Sequence, residues 1–168
     1  MITLVIGGVR SGKSELGARL AARHNEPVTV VVPTTFPTDP DLAARVRAHQ
    51  ARRPATWTTL ECGTALPATL AATAGPALVD SLGTWLTESP GFDVDSTALL
   101  DALATRAGPT VLVTEEVGLS VHPPTETGRR FADALGALNT TIAAVADEAL
   151  LTVAGRVVRL HQPECEDP

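Results

Sequence analysis

The chain has 168 residues, 44% of them hydrophobic, with a net charge of −6 at neutral pH and a pI near 5.1. That length supports one domain with a substantial core, and the acidic balance, with no basic run or aromatic-basic stripe, gives no footprint for nucleic acid. No apolar stretch is long enough to span a bilayer and the first residues carry no leader pattern, so a cytoplasmic protein is expected. Cys62 and Cys165 lack C-x-x-C or metal spacing and read as incidental thiols.

The run Ile2-Thr3-Leu4-Val5-Ile6 predicts a strand, and it opens into Gly7-Gly8-Val9-Arg10-Ser11-Gly12-Lys13-Ser14, which fits the P-loop pattern G-x-x-x-x-G-K-[ST]. Each position has a physical job. The glycines let backbone N–H groups converge on a phosphate, Lys13 places a charge on the β- and γ-phosphates, and the Ser14 hydroxyl ligates Mg²⁺. Leu16 and Leu20, four apart, predict an amphipathic helix from Glu15 to His24. After Pro27 the β-branched run Val28 to Val32 reads as a parallel strand covered on both faces. The result is a β-loop-α-β unit built to hold a nucleoside triphosphate.

The stretch 33–40 is a proline-marked loop, and a helix is expected from about Pro40 to Arg52. Leu42 and Val46 form its apolar stripe, His49 lies at the margin, and Arg45 and Arg52 flank it. Spacing leaves two readings of His49 open: a partly buried packing residue, or a nucleophile or acid/base group kept near a phosphate by the arginines. Residues 55–60 are expected to be extended and to lead to Glu61, with Trp57 as a packing residue. A short helix over 64–74 follows, then the apolar strand Ala77-Leu78-Val79-Asp80. Asp80 either stands opposite Ser14 on the Mg²⁺ or caps the helix that begins at Leu82.

Residues 88–95 read as a loop, and 96–107 as a helix with Leu99, Leu100 and Leu103 inward. Thr110 to Thr114 is a further buried strand, with Glu115-Glu116-Val117-Gly118 at its carboxyl end, where parallel sheets bind ligands. The two acids serve metal, ribose or an acceptor hydroxyl there, or are solvated loop charges. Residues 119–127 have the composition of a lid, and 128–146 are a long helix with Phe131, Leu135, Leu138 and Ile142 inward. The strands 148–153 and 157–160 predict a terminal hairpin around Ala154-Gly155-Arg156. The expected architecture is α/β: a mostly parallel sheet flanked by helices with an antiparallel edge hairpin, one domain over 1–161 and a frayed tail over 162–168.

These residues, taken in order, resemble the bifunctional adenosylcobinamide kinase/adenosylcobinamide-phosphate guanylyltransferase family of cobalamin assembly. The resemblance covers about Ile2 to Leu160. It rests on Gly7 to Ser14, Ala44-Arg45-Val46 before His49, Arg53-Pro54, Trp57 with Glu61, and Val79-Asp80 through Trp85-Leu86. It continues with Val113-Thr114 before Glu116-Val117-Gly118, then Arg129, Phe131, Asp133, Gly136, Asn139 and Ala146-Asp147-Glu148. It implies a RecA-like P-loop fold, a homotrimer, Mg²⁺, and GTP and ATP as substrates. The implied reactions are phosphorylation of the aminopropanol hydroxyl of adenosylcobinamide and transfer of GMP to the product. The GMP is carried as a phosphoramidate on the histidine that His49 matches, with Arg45 and Arg52 as charge partners of the transferring phosphate. Glu61 and Asp80 join the P-loop on the nucleotide, and Glu116 falls on the acceptor or metal side.

The chain departs from the family's pattern at Ala48, often histidine, at Glu115, usually asparagine, across Ser120-Val121-His122-Pro123-Pro124, and at Ala132, where arginine is expected. These departures are expected to cluster in the acceptor loop rather than the nucleotide site. Two other readings of the P-loop exist. Asp80-Ser81-Leu82-Gly83 resembles the D-x-x-G switch of regulatory GTPases, although no Asn-Lys-x-Asp guanine-reading motif occurs. A nucleotide-binding module that switches a partner without corrinoid chemistry is the other, and it predicts no covalent adduct.

Overall fold

Leu4 and Val5, neighbours in the first strand, are both buried, and they face opposite sides of one sheet. The computed structural model describes residues 1–24, 26–34, 54–119 and 121–162. Its sheet has seven strands: β1 (Ile2–Gly7), β2 (Thr29–Val32), β3 (Thr58–Glu61), β4 (Ala77–Asp80), β5 (Thr110–Glu115), β6 (Glu148–Val153) and β7 (Arg156–Leu160). They lie in the order β3-β2-β4-β5-β1-β6-β7. Six strands are parallel and β7 alone runs antiparallel, against β6. The carboxyl ends therefore share one edge, with Gly7 level with Glu115 and Thr152, and Val32 level with Glu61.

The helices are α1 (Lys13–Ala21), α2 (Leu66–Ala72), α3 (Leu82–Glu88), α4 (Ser96–Thr105) and α5 (Glu126–Val145). Leu4, Val31, Val79 and Leu112 pack with the apolar sides of α2 to α5, among them Leu70, Trp85, Leu99 and Leu135. Val5, Val30, Leu78 and Val113 on the other face pack with Leu16 and Leu20 of α1, and Trp57 leans on that cluster as a packing residue. Two-sided burial explains why β1, β2, β4 and β5 read as nearly continuous apolar runs. Trp85 is 1% exposed, and its indole N–H donates to the Thr64 carbonyl at 3.0 Å. At the edge of the sheet away from the P-loop, the Arg106 guanidinium donates to the carbonyls of Thr73, Gly75, Gly108 and Pro109, tying together the turns that lead into β4 and β5.

Local chemistry moves several boundaries. α5 begins two residues before the expected Gly128 because Thr125 caps it, its hydroxyl accepting from Gly128 N at 3.1 Å. Asp95 caps α4, and Leu99 and Leu103 are buried there, but Leu100 is only half-buried: it sits beside the inward stripe, not in it. The expected loop 88–95 contains a 3-10 turn, Pro90–Phe92, whose Phe92 meets Phe131 edge-on at 5.4 Å. β5 runs one residue past Thr114 and so carries Glu115 on the sheet. The hairpin turns through Ala154 and Gly155 with φ of 48° and 73°, the left-handed pair that suits the strands' twist. The helix expected over 40–52 lies outside the described residues.

Candidate active site

The P-loop leaves β1 and ends at the first turn of α1. Gly12 holds a φ of 94°, a left-handed conformation that glycine adopts without a Cβ penalty, and this aims the following amides at the loop's interior. Ser11 N donates to Gly8 O at 3.3 Å, and Gly155 N donates to Ser11 O at 2.9 Å, so the β6–β7 turn braces the loop from outside. With the amino end of α1 behind it, the loop is a cradle of donors with a favourable dipole for phosphate.

Two relationships set the chemistry. Ser14 Oγ donates to Asp80 Oδ1 at 3.4 Å, placing a hydroxyl and a carboxylate side by side at the strand ends. Lys13 Nζ donates to Gly8 O at 3.3 Å and pairs with Glu115 Oε1 at 3.8 Å. Asp80 does not cap α3. Ser81 does so, its hydroxyl accepting from Thr84 N at 3.3 Å. Asp80 to Gly83 are thus a strand end and a first helical turn, with Gly83 packed against the Glu115 carboxylate: a Cβ there would lie 2.1 Å from Oε2.

Glu115 is held from three sides. Ser81 Oγ donates to its Oε2 at 3.3 Å, Lys13 pairs with Oε1, and Asn139 Nδ2 donates to its backbone carbonyl at 3.0 Å. Asn139 in turn accepts from Thr114 Oγ1 at 2.7 Å. Glu116 has a different place: its Oε1 accepts from the amides of Gly118 and Leu119 at 2.6 and 2.9 Å, closing its own turn. The departure at Glu115 therefore stands beside the P-loop lysine, whereas the sequence pattern groups it with the acceptor loop. The sequence reading assigns no role to its neighbours Ser81 and Asn139, although Asn139 is among the residues that carry the resemblance: the strand order brings Ser81 there, and the packing of α5 on the sheet brings Asn139.

Beside the loop lies a cleft of about 500 Å³, walled by Val117, Leu119, Ala132 and Leu151 with His122 and Asp133 on its rim. It adjoins a space of about 350 Å³ between Gly8–Ser11 and Leu151–Ala154. Glu61 ends β3, exposed, on the same edge but four strand spacings from β1, about 19 Å away. The neighbouring Cys62 is half-buried, and desolvation pushes its thiol up to about 11 against the opposing hydrogen bond with Thr69. His49, Arg45 and Arg52 lie outside the described residues, as do Ala48 and Ser120. Among the described residues no group of three or more His, Cys, Asp or Glu side chains is placed to hold a metal. A site made of Ser14, Asp80 and nucleotide oxygens matches Mg²⁺, which takes few protein ligands and relies on substrate phosphates. No described helix is long and apolar enough to cross a membrane.

Comparison with known proteins places this geometry among relatives. The family model described as cobinamide kinase / cobinamide phosphate guanyltransferase matches residues 3–160. The bifunctional adenosylcobalamin biosynthesis protein CobP of Pseudomonas aeruginosa is 40% identical over 164 residues, covering 92% of this chain and 94% of that protein. The bifunctional adenosylcobalamin biosynthesis protein CobU of Salmonella typhimurium is 31% identical over 182 residues, covering 95% and 99%. Among solved structures, an ATPase from the type III secretion system of pathogenic bacteria superposes with a TM-score of 0.57 at 11% identity. It covers 89% of this chain and 50% of that one, a likeness of fold alone.

Proposed function

Since this chain belongs to the cobinamide kinase / cobinamide phosphate guanyltransferase family, we propose that it is a bifunctional transferase of cobalamin biosynthesis. It phosphorylates adenosylcobinamide on the aminopropanol hydroxyl and then moves GMP from GTP onto the resulting phosphate, giving adenosylcobinamide-GDP. The observation that carries this reading is the P-loop cradle, with Lys13 at its phosphate side and Ser14 against Asp80. Phosphoryl transfer is largely a matter of positioning and charge stabilisation, which is what such a cradle supplies.

In the first reaction the loop amides and Lys13 hold the β- and γ-phosphates of ATP or GTP; Ser14 and Asp80 would hold Mg²⁺, which would supply positive charge against the phosphate oxygens. In the second, a ring nitrogen of His49 attacks the α-phosphorus of GTP. A P–N bond forms, pyrophosphate leaves, and a phosphate oxygen of the phosphorylated corrinoid then displaces the histidine. Arg45 and Arg52 balance charge on the transferring group, and Glu61 and Glu116 are assigned to the nucleotide and to the acceptor or metal side. Residues 1–161 act as one catalytic unit, the protein works in the cytoplasm without nucleic acid, and a homotrimer is its assembly.

The kinase half is tested with γ-labelled nucleotide and adenosylcobinamide. Label is expected on the corrinoid. Lys13→Ala is expected to lower the rate by roughly 100- to 1000-fold through lost charge stabilisation, and an unchanged rate would count against that role.

A further inference from the structure

We propose that Glu115 is a resident counter-ion of Lys13: it holds the ammonium in the empty P-loop, competes with the β- and γ-phosphates for it, and so sets this chain's affinity for nucleotide. The proposal rests on the nucleotide-binding part of the function above and asks no chemical step of the carboxylate. An asparagine there, the residue usual in the family, carries no charge to compete with phosphate.

The ion pair is partly withdrawn from water. Lys13 Nζ lies 3.8 Å from Glu115 Oε1, and the two side chains are only 13% and 30% exposed. Charges placed in this way interact more strongly than a surface pair in full solvent. Gly8 O, which also accepts from Nζ at 3.3 Å, is neutral. Glu115 therefore balances a cation that is mostly desolvated in the empty loop and that would be costly to leave unpaired.

The carboxylate is held in place when phosphate arrives. Ser81 Oγ donates to Oε2 at 3.3 Å, and that oxygen lies 2.1 Å from where a Cβ on Gly83 would stand. The main chain is fixed as well: Glu115 pairs with Gly7 across β5 and β1, and Asn139 Nδ2 donates to its carbonyl at 3.0 Å. A P-loop lysine bears on the β- and γ-phosphates, so these groups share Lys13 with a like charge that does not withdraw. The penalty falls on nucleoside tri- and diphosphates and spares a monophosphate, whose single phosphate is the α one. When the nucleotide departs, Glu115 takes the ammonium back. Weakened binding of this kind shows mostly as faster release, which suits one loop that serves two nucleotide reactions in turn.

The test is Glu115→Gln beside Glu115→Asn. Both remove the charge; the first keeps the side chain's length and the second installs the family's usual residue. Binding of ATP, ADP and AMP in the presence of Mg²⁺ is measured by titration calorimetry on the parent and both variants. The expected result is that ATP and ADP bind about tenfold tighter to the variants while AMP stays within about twofold of the parent. ATP affinity that is unchanged in both variants overturns the proposal, and so does weaker binding, which would make Glu115 a support for Lys13 or for the metal. Tightening of AMP as large as that of ATP also overturns it, because a general rearrangement of the loop would not depend on the number of phosphates. A parent protein that binds neither ATP nor GTP would sink the nucleotide-binding reading itself, a failure seen before any variant is made.

Discussion

Ser14 Oγ donates to Asp80 Oδ1 at 3.4 Å, joining the first turn of α1 to the end of β4 across 66 residues of sequence. Both groups are hard oxygen donors of the kind Mg²⁺ accepts as ligands. Asp80→Asn keeps the shape but gives up the charge. The Mg²⁺ concentration for half-maximal phosphoryl transfer is expected to rise by about 10- to 100-fold, measured by metal titration at saturating nucleotide. An unchanged midpoint would remove Asp80 from the metal side.

Gly17 marks where α1 comes closest to the sheet. A Cβ there would sit 2.7 Å from Val113 Cγ2 and 3.3 Å from Leu78 Cδ1. Gly17→Ala gains about 1 kcal/mol of helix propensity but forces an overpacked contact costing about 1–3 kcal/mol. A net loss of about 1 kcal/mol is expected, seen as a fall in Tm of about 2–4 °C. A higher Tm would show that the helix lifts off the sheet at little cost.

Cys62 gives a pH-dependent expectation. Burial raises its thiol from 9.0 to about 11, so the fold favours the neutral form. This group's contribution to stability is fully present below pH 9 and is lost as pH rises toward about 11. In a Cys165→Ser background, alkylation of the native protein at pH 8 is expected to run roughly 100-fold slower than that of an ordinary thiol. Rapid labelling under native conditions would contradict the burial.

The parts of the fold legible in the sequence are those set by local pattern. Gly7 to Ser14, the strand Ala77–Asp80 and the hairpin around Ala154-Gly155 all follow from residue type and period. Boundaries set by a single side chain are less legible: Thr125 and not Gly128 decides where α5 begins, because its hydroxyl competes for an amide. The partnership of Lys13 with Glu115 is out of reach for a different reason. It depends on β5 lying next to β1, and the order β3-β2-β4-β5-β1-β6-β7 is a tertiary property that no window of sequence encodes. The same order puts Glu61 at the far side of the sheet, where adjacency in the family's pattern gives no hint of distance.

One P-loop and one histidine carry the proposed pair of reactions. Incubating the protein with α-labelled GTP and Mg²⁺, and following radioactivity in the denatured chain, is expected to give an acid-labile adduct that is absent in His49→Ala and discharged by adenosylcobinamide phosphate. Intact GTP binding without any label on the parent protein, or label that persists in His49→Ala, would contradict it.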